Sequence, residues 1–220
     1  MSSQVKNNIY KNKVDEQMQT ILGESFQQPI NCGQTTAIAH ALTTLGFPTT
    51  VDEILLTTRI NIESVVGDGM TLAETHDMAL RFIRAAKLPV FCECYHFDEQ
   101  SNITSDDFWD ACLLDGEAGN DDICVINFDT SIAHDTIEGE GHFAVVVGPL
   151  ENKNQIVVSD VNSAKYDAVW QKNYTKLFKA MKSKDSCGRA RGMLRFGLTS
   201  SESLQRPLPS IANANRLIDW

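Results

Sequence analysis

The segment PINCGQTTAIAHALTTLGFP, residues 29–48, decides the first half of the fold. Apolar residues recur along residues 32–45 with the spacing of one helix face, and Gly46 and Pro48 end the pattern. The predicted helix begins at Cys32, where the positive end of the helix dipole favours a thiolate. Cys32 is therefore a candidate nucleophile. A cysteine at such a position is more commonly a small buried residue than a nucleophile. The catalytic interpretation therefore requires a partner base.

Around this segment the periodicity is helical up to Pro89 and strand-like beyond it. Two capping boxes, Thr50 with Glu53 and Thr71 with Glu74, precede helical patterns. Short β-branched or aromatic segments then predict strands. The predicted strands are residues 90–97, 123–128, 142–147, 155–161 and 193–199, with helices at 106–114, capped by Ser105, and at 174–181. Helices followed by a mainly antiparallel sheet predict an α+β fold with a cleft between the halves.

The composition limits the class of protein and its partners. The chain has 220 residues, 42% of them apolar and 22% charged, which suits one domain or two small lobes and excludes whole-chain disorder. A net charge of −10 disfavours nucleic acid and anionic membranes. Residues 1–19 lack the apolar core of a secretory signal, and no apolar run approaches the ~20 residues of a membrane helix. We expect a cytoplasmic protein whose six cysteines are free thiols.

One histidine stands in a distinctive sequence frame. His142 follows a Gly-Glu-Gly run and opens an apolar strand, where backbone can approach a substrate closely. Asp160 ends the next strand, and a hairpin through residues 151–154 would bring it beside His142. The other histidines are set aside as structural or solvated: His40 and His76 in helices, His96 at a strand end and His134 in a polar loop. Cys32, His142 and Asp160 thus form a candidate Cys-His-Asp triad.

In motif, spacing and order these residues resemble the phytochelatin synthase family, the glutathione γ-glutamylcysteinyltransferases of the papain-like cysteine peptidase superfamily. Three motifs carry the resemblance: Pro29-x-x-Cys32-Gly33, Gly141-His142-Phe143 and Asp160-Val161-x-x-x-Lys165-Tyr166-x-x-x-Trp170. The similarity spans about residues 22–199. It implies a papain-like two-lobe fold within one catalytic domain, residues 1–220. The helical lobe would cover about residues 22–88, the β-rich lobe about 89–200 and a tail 201–220.

The resemblance also implies a reaction. Cys32 would attack the Cys–Gly amide of glutathione, His142 would protonate the leaving glycine, and Asp160 would orient the imidazole. The γ-glutamylcysteinyl thioester would pass to water, giving γ-glutamylcysteine, or to a second glutathione, giving the phytochelatin of heavy-metal detoxification. Acylation would need no cofactor and no metal site in the protein, while Cd²⁺ or Zn²⁺ could enter as a glutathione thiolate in the acceptor. Implied partners are glutathione, related γ-glutamyl-cysteinyl peptides and, by analogy, a second copy of the chain in a homodimer.

Three departures from the family pattern affect the substrate pockets. Phe26 stands where the family has its oxyanion glutamine, so Gln27 is predicted to take that role through a shortened loop. Asn31 replaces an aromatic residue, and Ser163 replaces an arginine. Without that bidentate guanidinium, we expect weak acceptor binding and a balance that favours hydrolysis. By resemblance the substrate-binding residues are Gln28, Gly141, Phe143, Lys165 and Arg191.

Two other functions stay open at this point. The chain could be a papain-like peptidase or deamidase acting on a protein, for example as a secreted bacterial effector. It could also be a catalytically silent binding module that keeps the fold, which the departure at Ser163 permits. A metal site at Cys92, Cys94 and His96 is disfavoured, because alternate side chains on a strand stand about 6.6 Å apart, too far for one tetrahedral zinc.

Overall fold

The first part of the chain folds as helices that lie on one face of a sheet. The computed structural model describes residues 28–29, 32–67, 69–98, 103–112, 122–150 and 154–200, and the backbone of 215–217. In this part of the chain the first helices are α1 (Gly33–Thr44), α2 (Val51–Thr58), α3 (Ile62–Val66) and α4 (Leu72–Ala86). Helix α1 is buried from its first residue through Leu42, which explains its small and apolar composition.

Both predicted capping boxes are confirmed. Thr50 Oγ1 accepts the Glu53 N–H at 3.2 Å, and Glu53 Oε2 accepts the Thr50 N–H at 2.8 Å. Thr71 and Glu74 repeat the exchange at 3.2 Å and 2.8 Å. Each pair satisfies two backbone donors that a helix start leaves open. Helices α2 and α4 therefore begin where the sequence predicts.

The second part of the chain supplies the sheet. Its elements are β1 (Val90–His96), α5 (Ser105–Cys112), β2 (Ile123–Asp129), α6 (Thr130–His134), β3 (Gly141–Leu150), β4 (Gln155–Asp160), β5 (Val169–Asn173), α7 (Tyr174–Met181), β6 (Gly192–Leu198) and β7 (Asn215–Leu217). The described strands form a seven-stranded sheet in the order β5-β4-β3-β2-β6-β1-β7, with every neighbouring pair antiparallel. The predicted α+β class and all five predicted strands are confirmed.

Two apolar clusters fill the space on either side of this sheet. The first joins α1 and α4 to one face, with Phe143 and Val145 of β3 among its members. The second joins α5, α6 and α7 to the opposite face, with Ala144 and Val146 of the same strand. Alternate residues of β3 therefore belong to different clusters, as expected for a central strand covered on both faces. The helical and β-rich halves meet in the first cluster.

Two local predictions are wrong, and one strand was not predicted. Helix α5 is capped by Thr104, which exchanges hydrogen bonds with Asp107, and not by Ser105, which is already helical. His134 does not lie in a polar loop but ends helix α6. Strand β5 was not predicted, because its exposed edge position gives it a largely polar sequence, VWQKN.

No helix in the described part of the chain is long and apolar enough to cross a membrane. The division into lobes at residues 22–88 and 89–200, with a tail at 201–220, stays a prediction.

Candidate active site

Strands β3 and β4 bring His142 and Asp160 together. Asp160 pairs with Ala144, two residues beyond His142 on the same face of β3, so the two side chains meet on the diagonal. His142 Nε2 lies 2.8 Å from Asp160 Oδ1, and both side chains are buried. The predicted hairpin therefore places the imidazole against the carboxylate.

The Asp160 carboxylate is held by two further donors. The backbone N–H of Asn162 donates to Oδ1 at 2.8 Å, and Trp170 Nε1 donates to Oδ2 at 2.8 Å. Burial raises the pKa of Asp160, but the hydrogen bonds and charge of His142, with those of Trp170 and Asn162, outweigh burial and lower the pKa overall. Asp160 is ionised at neutral pH and can stabilise a cationic imidazole.

The second nitrogen of His142 faces the start of helix α1. Its Nδ1 atom lies 3.7 Å from the place where a Cβ on Gly33 would stand, and Gly33 directly follows Cys32. Because Asp160 occupies Nε2, Nδ1 is the nitrogen directed to this end of the helix. The described chain thus places the predicted base beside the start of the helix at which the predicted nucleophile lies.

The charge state of Cys32 differs from the expectation based on the helix dipole. Cys32 is buried, and burial raises the pKa of its thiol, with the Asp52 carboxylate adding to the shift. A helix start was predicted to favour the thiolate. The thiol therefore needs a nearby base to remove its proton at neutral pH.

A cleft of about 640 Å³ opens beside His142. Its walls are the start of α1, the connection between α3 and α4, the facing ends of β2 and β3, and the turn before β6. Charged residues of both signs line it: Asp129, Glu140, Lys184, Asp185, Arg189 and Arg191. A cleft with both signs of charge suits a small zwitterionic ligand.

Of the five predicted substrate-binding residues, Gln28, Gly141, Phe143 and Arg191 line the cleft. Arg191 is the buried cation among them. Its Nε donates to Ser183 Oγ at 3.2 Å, and its Nη2 lies 3.8 Å from Asp129 Oδ2. A Cβ on Gly141 would stand 2.5 Å from Arg191 Nη1, so a larger residue there would displace the Arg191 guanidinium.

Two predicted residues are placed differently. Lys165 is absent from the described cleft lining; it is exposed and forms an ion pair with Glu140. Gln27, the predicted oxyanion donor, lies outside the described residues, as do Phe26 and Asn31. Its neighbour Gln28 is described: its backbone N–H donates to Val161 O at 2.7 Å, and its Oε1 lies 2.7 Å from the ideal Cβ of Gly33.

Two residues near His142 were not predicted from the sequence. Asn127 Nδ2 donates to the His142 carbonyl at 3.2 Å and fixes the start of β3. Asp129 caps α6 by accepting the Ser131 and Ile132 N–H groups, and its carboxylate lines the cleft. The run Asp129-Thr-Ser after an apolar strand is a helix-cap signal that could have indicated Asp129. Nothing in the sequence around Asn127 marks it, because its role depends on strand pairing.

Among the described side chains, the remaining cysteines form no recognisable site. Cys94 Sγ lies 3.5 Å from His96 Nε2, so these side chains approach more closely than the strand spacing predicted. Burial raises the pKa of Cys94 to about 12, which keeps its thiol protonated. Within the described residues no group of three or more His, Cys, Asp or Glu side chains could hold a metal ion.

Among known protein families, the model described as phytochelatin synthase matches residues 14–193 of the chain. The chain belongs to the phytochelatin synthase family. The resemblance drawn from the three motifs is thereby confirmed, and the α+β class that it implied is the one observed.

No curated protein matches the sequence. Among solved structures, the peptidase domain of Streptococcus ComA, described as a bifunctional ABC transporter involved in a quorum-sensing pathway, is similar to this chain with a TM-score of 0.45 and 14% sequence identity. The match covers 79% of this chain and 96% of that domain.

Proposed function

We propose that this phytochelatin synthase family member cleaves the Cys–Gly bond of glutathione through a thioester on Cys32. One observation carries the proposal: His142 presents Nδ1 at the start of α1, where Cys32 lies, while Asp160 holds Nε2. This is the arrangement that a cysteine nucleophile with a raised pKa needs. The mixed charges of the neighbouring cleft suit the amine and carboxylates of a γ-glutamyl tripeptide.

The proposed chemistry has two steps. In the first, His142 Nδ1 accepts the Cys32 proton, and the sulfur attacks the carbonyl carbon of the Cys–Gly amide. The C–N bond then breaks, glycine leaves with the proton from His142, and a γ-glutamylcysteinyl thioester remains. In the second, water or the amine of another glutathione attacks the thioester, His142 takes the nucleophile's proton, and Cys32 leaves as the thiol.

Gln28 is the best-placed donor for the oxyanion in this proposal. The Cys32 N–H donates to Pro29 O at 3.1 Å, so a side chain has to supply the donor. The amide of Gln28 lies against Gly33 and lines the cleft. Its Oε1 has no hydrogen-bond partner among the described residues, so a half-turn of the amide would put the Nε2 donor in the place of Oε1 without breaking a bond to that oxygen. We therefore favour Gln28 over Gln27 for the role.

We further propose that water is the preferred acceptor. Transfer to a second glutathione needs a site that holds a second peptide by its carboxylates. Ser163 stands where the family has an arginine, and Lys165 is exposed and paired with Glu140. A paired, solvated lysine is a poor substitute for a bidentate guanidinium. This supports γ-glutamylcysteine over phytochelatin as the main product, in a protein that we take to act in the cytoplasm.

The test is mass spectrometry of glutathione incubated with the wild-type chain and with Cys32→Ala, each with and without Cd²⁺. Cys187→Ala is the matched control, because Cys187 is an exposed thiol. We expect glycine release from the wild type and from Cys187→Ala, none from Cys32→Ala, and more γ-glutamylcysteine than phytochelatin. Gln28→Ala should lower kcat by about 10²-fold, whereas Gln27→Ala should lower it by less than threefold.

Three outcomes would contradict parts of the proposal. Equal turnover by Cys32→Ala would remove the acyl-enzyme. Faster accumulation of phytochelatin than of γ-glutamylcysteine with Cd²⁺ would make the protein a synthase and not a hydrolase. No turnover by the wild type in any condition would favour a protein-directed peptidase or a silent binding module.

A further inference from the structure

A second histidine lies behind the His142–Asp160 pair. His134 ends α6, and its imidazole stacks on the Tyr166 ring with centroids 4.7 Å apart and planes at 14°. It also meets Trp170 at 4.9 Å and 74°, and Phe128 at 6.3 Å and 61°. One imidazole therefore contacts three aromatic rings, in the offset and edge-to-face arrangements that such rings prefer.

Each of these three rings holds part of the candidate triad. The Tyr166 ring lies 5.2 Å from the His142 ring, and Phe128 meets His142 edge-on at 5.5 Å. Trp170 donates its N–H to Asp160. Because these rings are in direct contact with one another, a change at His134 reaches both the imidazole and the carboxylate through these neighbours.

The charge of His134 fits this position. Burial lowers the pKa of His134, and Lys172, His142 and Lys176 lower it further, while Asp160 acts in the opposite direction. Its Nε2 is buried and has no hydrogen-bond partner among the described residues. At neutral pH the ring is uncharged, so it packs as an aromatic surface and does not compete with His142 for Asp160.

We propose that His134 is a positioning residue: its ring, stacked on Tyr166, braces the rings of Tyr166, Phe128 and Trp170 that fix His142 against Asp160. The role requires a flat ring at this position and no proton transfer by it. The inference rests on the proposed function in one respect, that His142 is the base for Cys32.

The experiment compares His134→Ala with His134→Phe, which keeps a flat ring. Tyr174→Ala is the matched control. The Trp109 and Tyr174 rings have centroids 4.9 Å apart, the same distance as between His134 and Trp170, but in the described ring contacts this pair touches neither His142 nor Asp160. All variants carry Cys187→Ala to remove the exposed thiol. The first measurement is the rate of Cys32 alkylation by iodoacetamide from pH 5 to 9, which needs no substrate. The second is kcat and KM for glycine release from glutathione.

We expect His134→Ala to slow alkylation at pH 7 and to lower kcat by about tenfold, with KM changed less than about twofold. His134→Phe should restore both rates to within about threefold of the parent. The positioning role is overturned if His134→Ala behaves like Tyr174→Ala, or if His134→Phe fails as badly as His134→Ala. If no protein releases glycine but the alkylation pattern holds, the proposed function fails while the positioning role is supported.

Discussion

The hydrogen bonds of the Asp160 carboxylate have a clear consequence for the stability of the fold. The carboxylate accepts hydrogen bonds from His142, Asn162 and Trp170, which lower its pKa below the usual 3.8 although burial acts in the opposite direction. A carboxyl whose pKa is lowered by folding stabilises the native state above that usual value. The contribution is lost as the pH falls through the lowered pKa.

Trp170→Phe should expose this contribution. The variant keeps an aromatic ring but removes the donor to Asp160 Oδ2. We expect the free energy of unfolding at pH 7 to fall by about 1–3 kcal/mol. The deficit should shrink as the pH drops below 3.8, measured by urea unfolding down to the lowest pH at which both proteins fold. A deficit independent of pH would mean that only packing was lost. Trp109→Phe, in the aromatic pair with Tyr174, is the control.

A second residue with clear consequences is Arg195 of β6, in a buried ionic cluster with Glu93 of β1 and Asp122, which directly precedes β2. Arg195 Nε donates to Asp122 at 2.7 Å and its Nη1 to Glu93 at 3.2 Å, and all three side chains are buried. Arg195→Met would leave two buried carboxylates without their cation, so we expect a loss of about 3–5 kcal/mol in urea unfolding. Arg81→Met breaks the exposed Arg81–Asp77 pair and should cost less than about 1 kcal/mol. Equal losses would contradict this view of the cluster.

The predictability of these residues follows from how local their signals are. His142 and Asp160 could be predicted because hairpin spacing fixes which strand ends meet. The positions of Gln28 and His134 could not be predicted from hairpin spacing. Gln28 depends on a backbone bond to Val161, and His134 on rings from β2, β5 and the segment between β4 and β5.

Among the elements, the helices that carry capping boxes were predicted most closely. Thr71 and Glu74 start α4, and hydrogen bonds from the Thr71 backbone and hydroxyl lower the pKa of Glu74 below the usual 4.5. Strand β5 escaped prediction because an exposed edge strand carries little apolar pattern. A capping box can be recognised in the sequence because its residues are close together along the chain. Strand β5, in contrast, is defined by its pairing with β4.

Thr71→Ala should lower the free energy of unfolding by about 1 kcal/mol, measured by thermal or urea unfolding, because it removes the acceptor for the Glu74 N–H at the start of α4. The same change at Thr57, which is exposed within α2, should cost less than about 0.5 kcal/mol. The effect of Thr71→Ala should also decrease as Glu74 becomes protonated below pH 4.5. A loss at Thr57 as large as at Thr71 would contradict the cap assignment.

At the level of the molecule, the two halves of the chain are joined by a shared core. The first apolar cluster contains residues of α1 and α4 together with residues of β1, β2, β3 and β6. The change in periodicity near Pro89 correctly predicted that helices fill the chain up to the first strand. It could not predict that the helices bury their apolar faces directly on the sheet, because that contact lies between distant segments.

This shared core predicts one cooperative unfolding transition. Differential scanning calorimetry should give a single peak whose calorimetric and van't Hoff enthalpies agree. Leu42→Ala in α1 and Val145→Ala in β3 should lower the same transition, since both residues belong to the first cluster. Two peaks, with Leu42→Ala moving only one of them, would show that the lobes unfold separately.

The long separation of Cys32 and His142 along the chain has a consequence for biosynthesis. A ribosome releases Cys32 roughly 110 residues before His142, and Asp160 later still. An unfolded thiol has an ordinary pKa near 8.5 and is mostly protonated at neutral pH. A nascent or prematurely terminated chain therefore carries the nucleophile without its activator. On the proposed mechanism, such a chain leaves the surrounding peptides intact until the β3–β4 hairpin is complete.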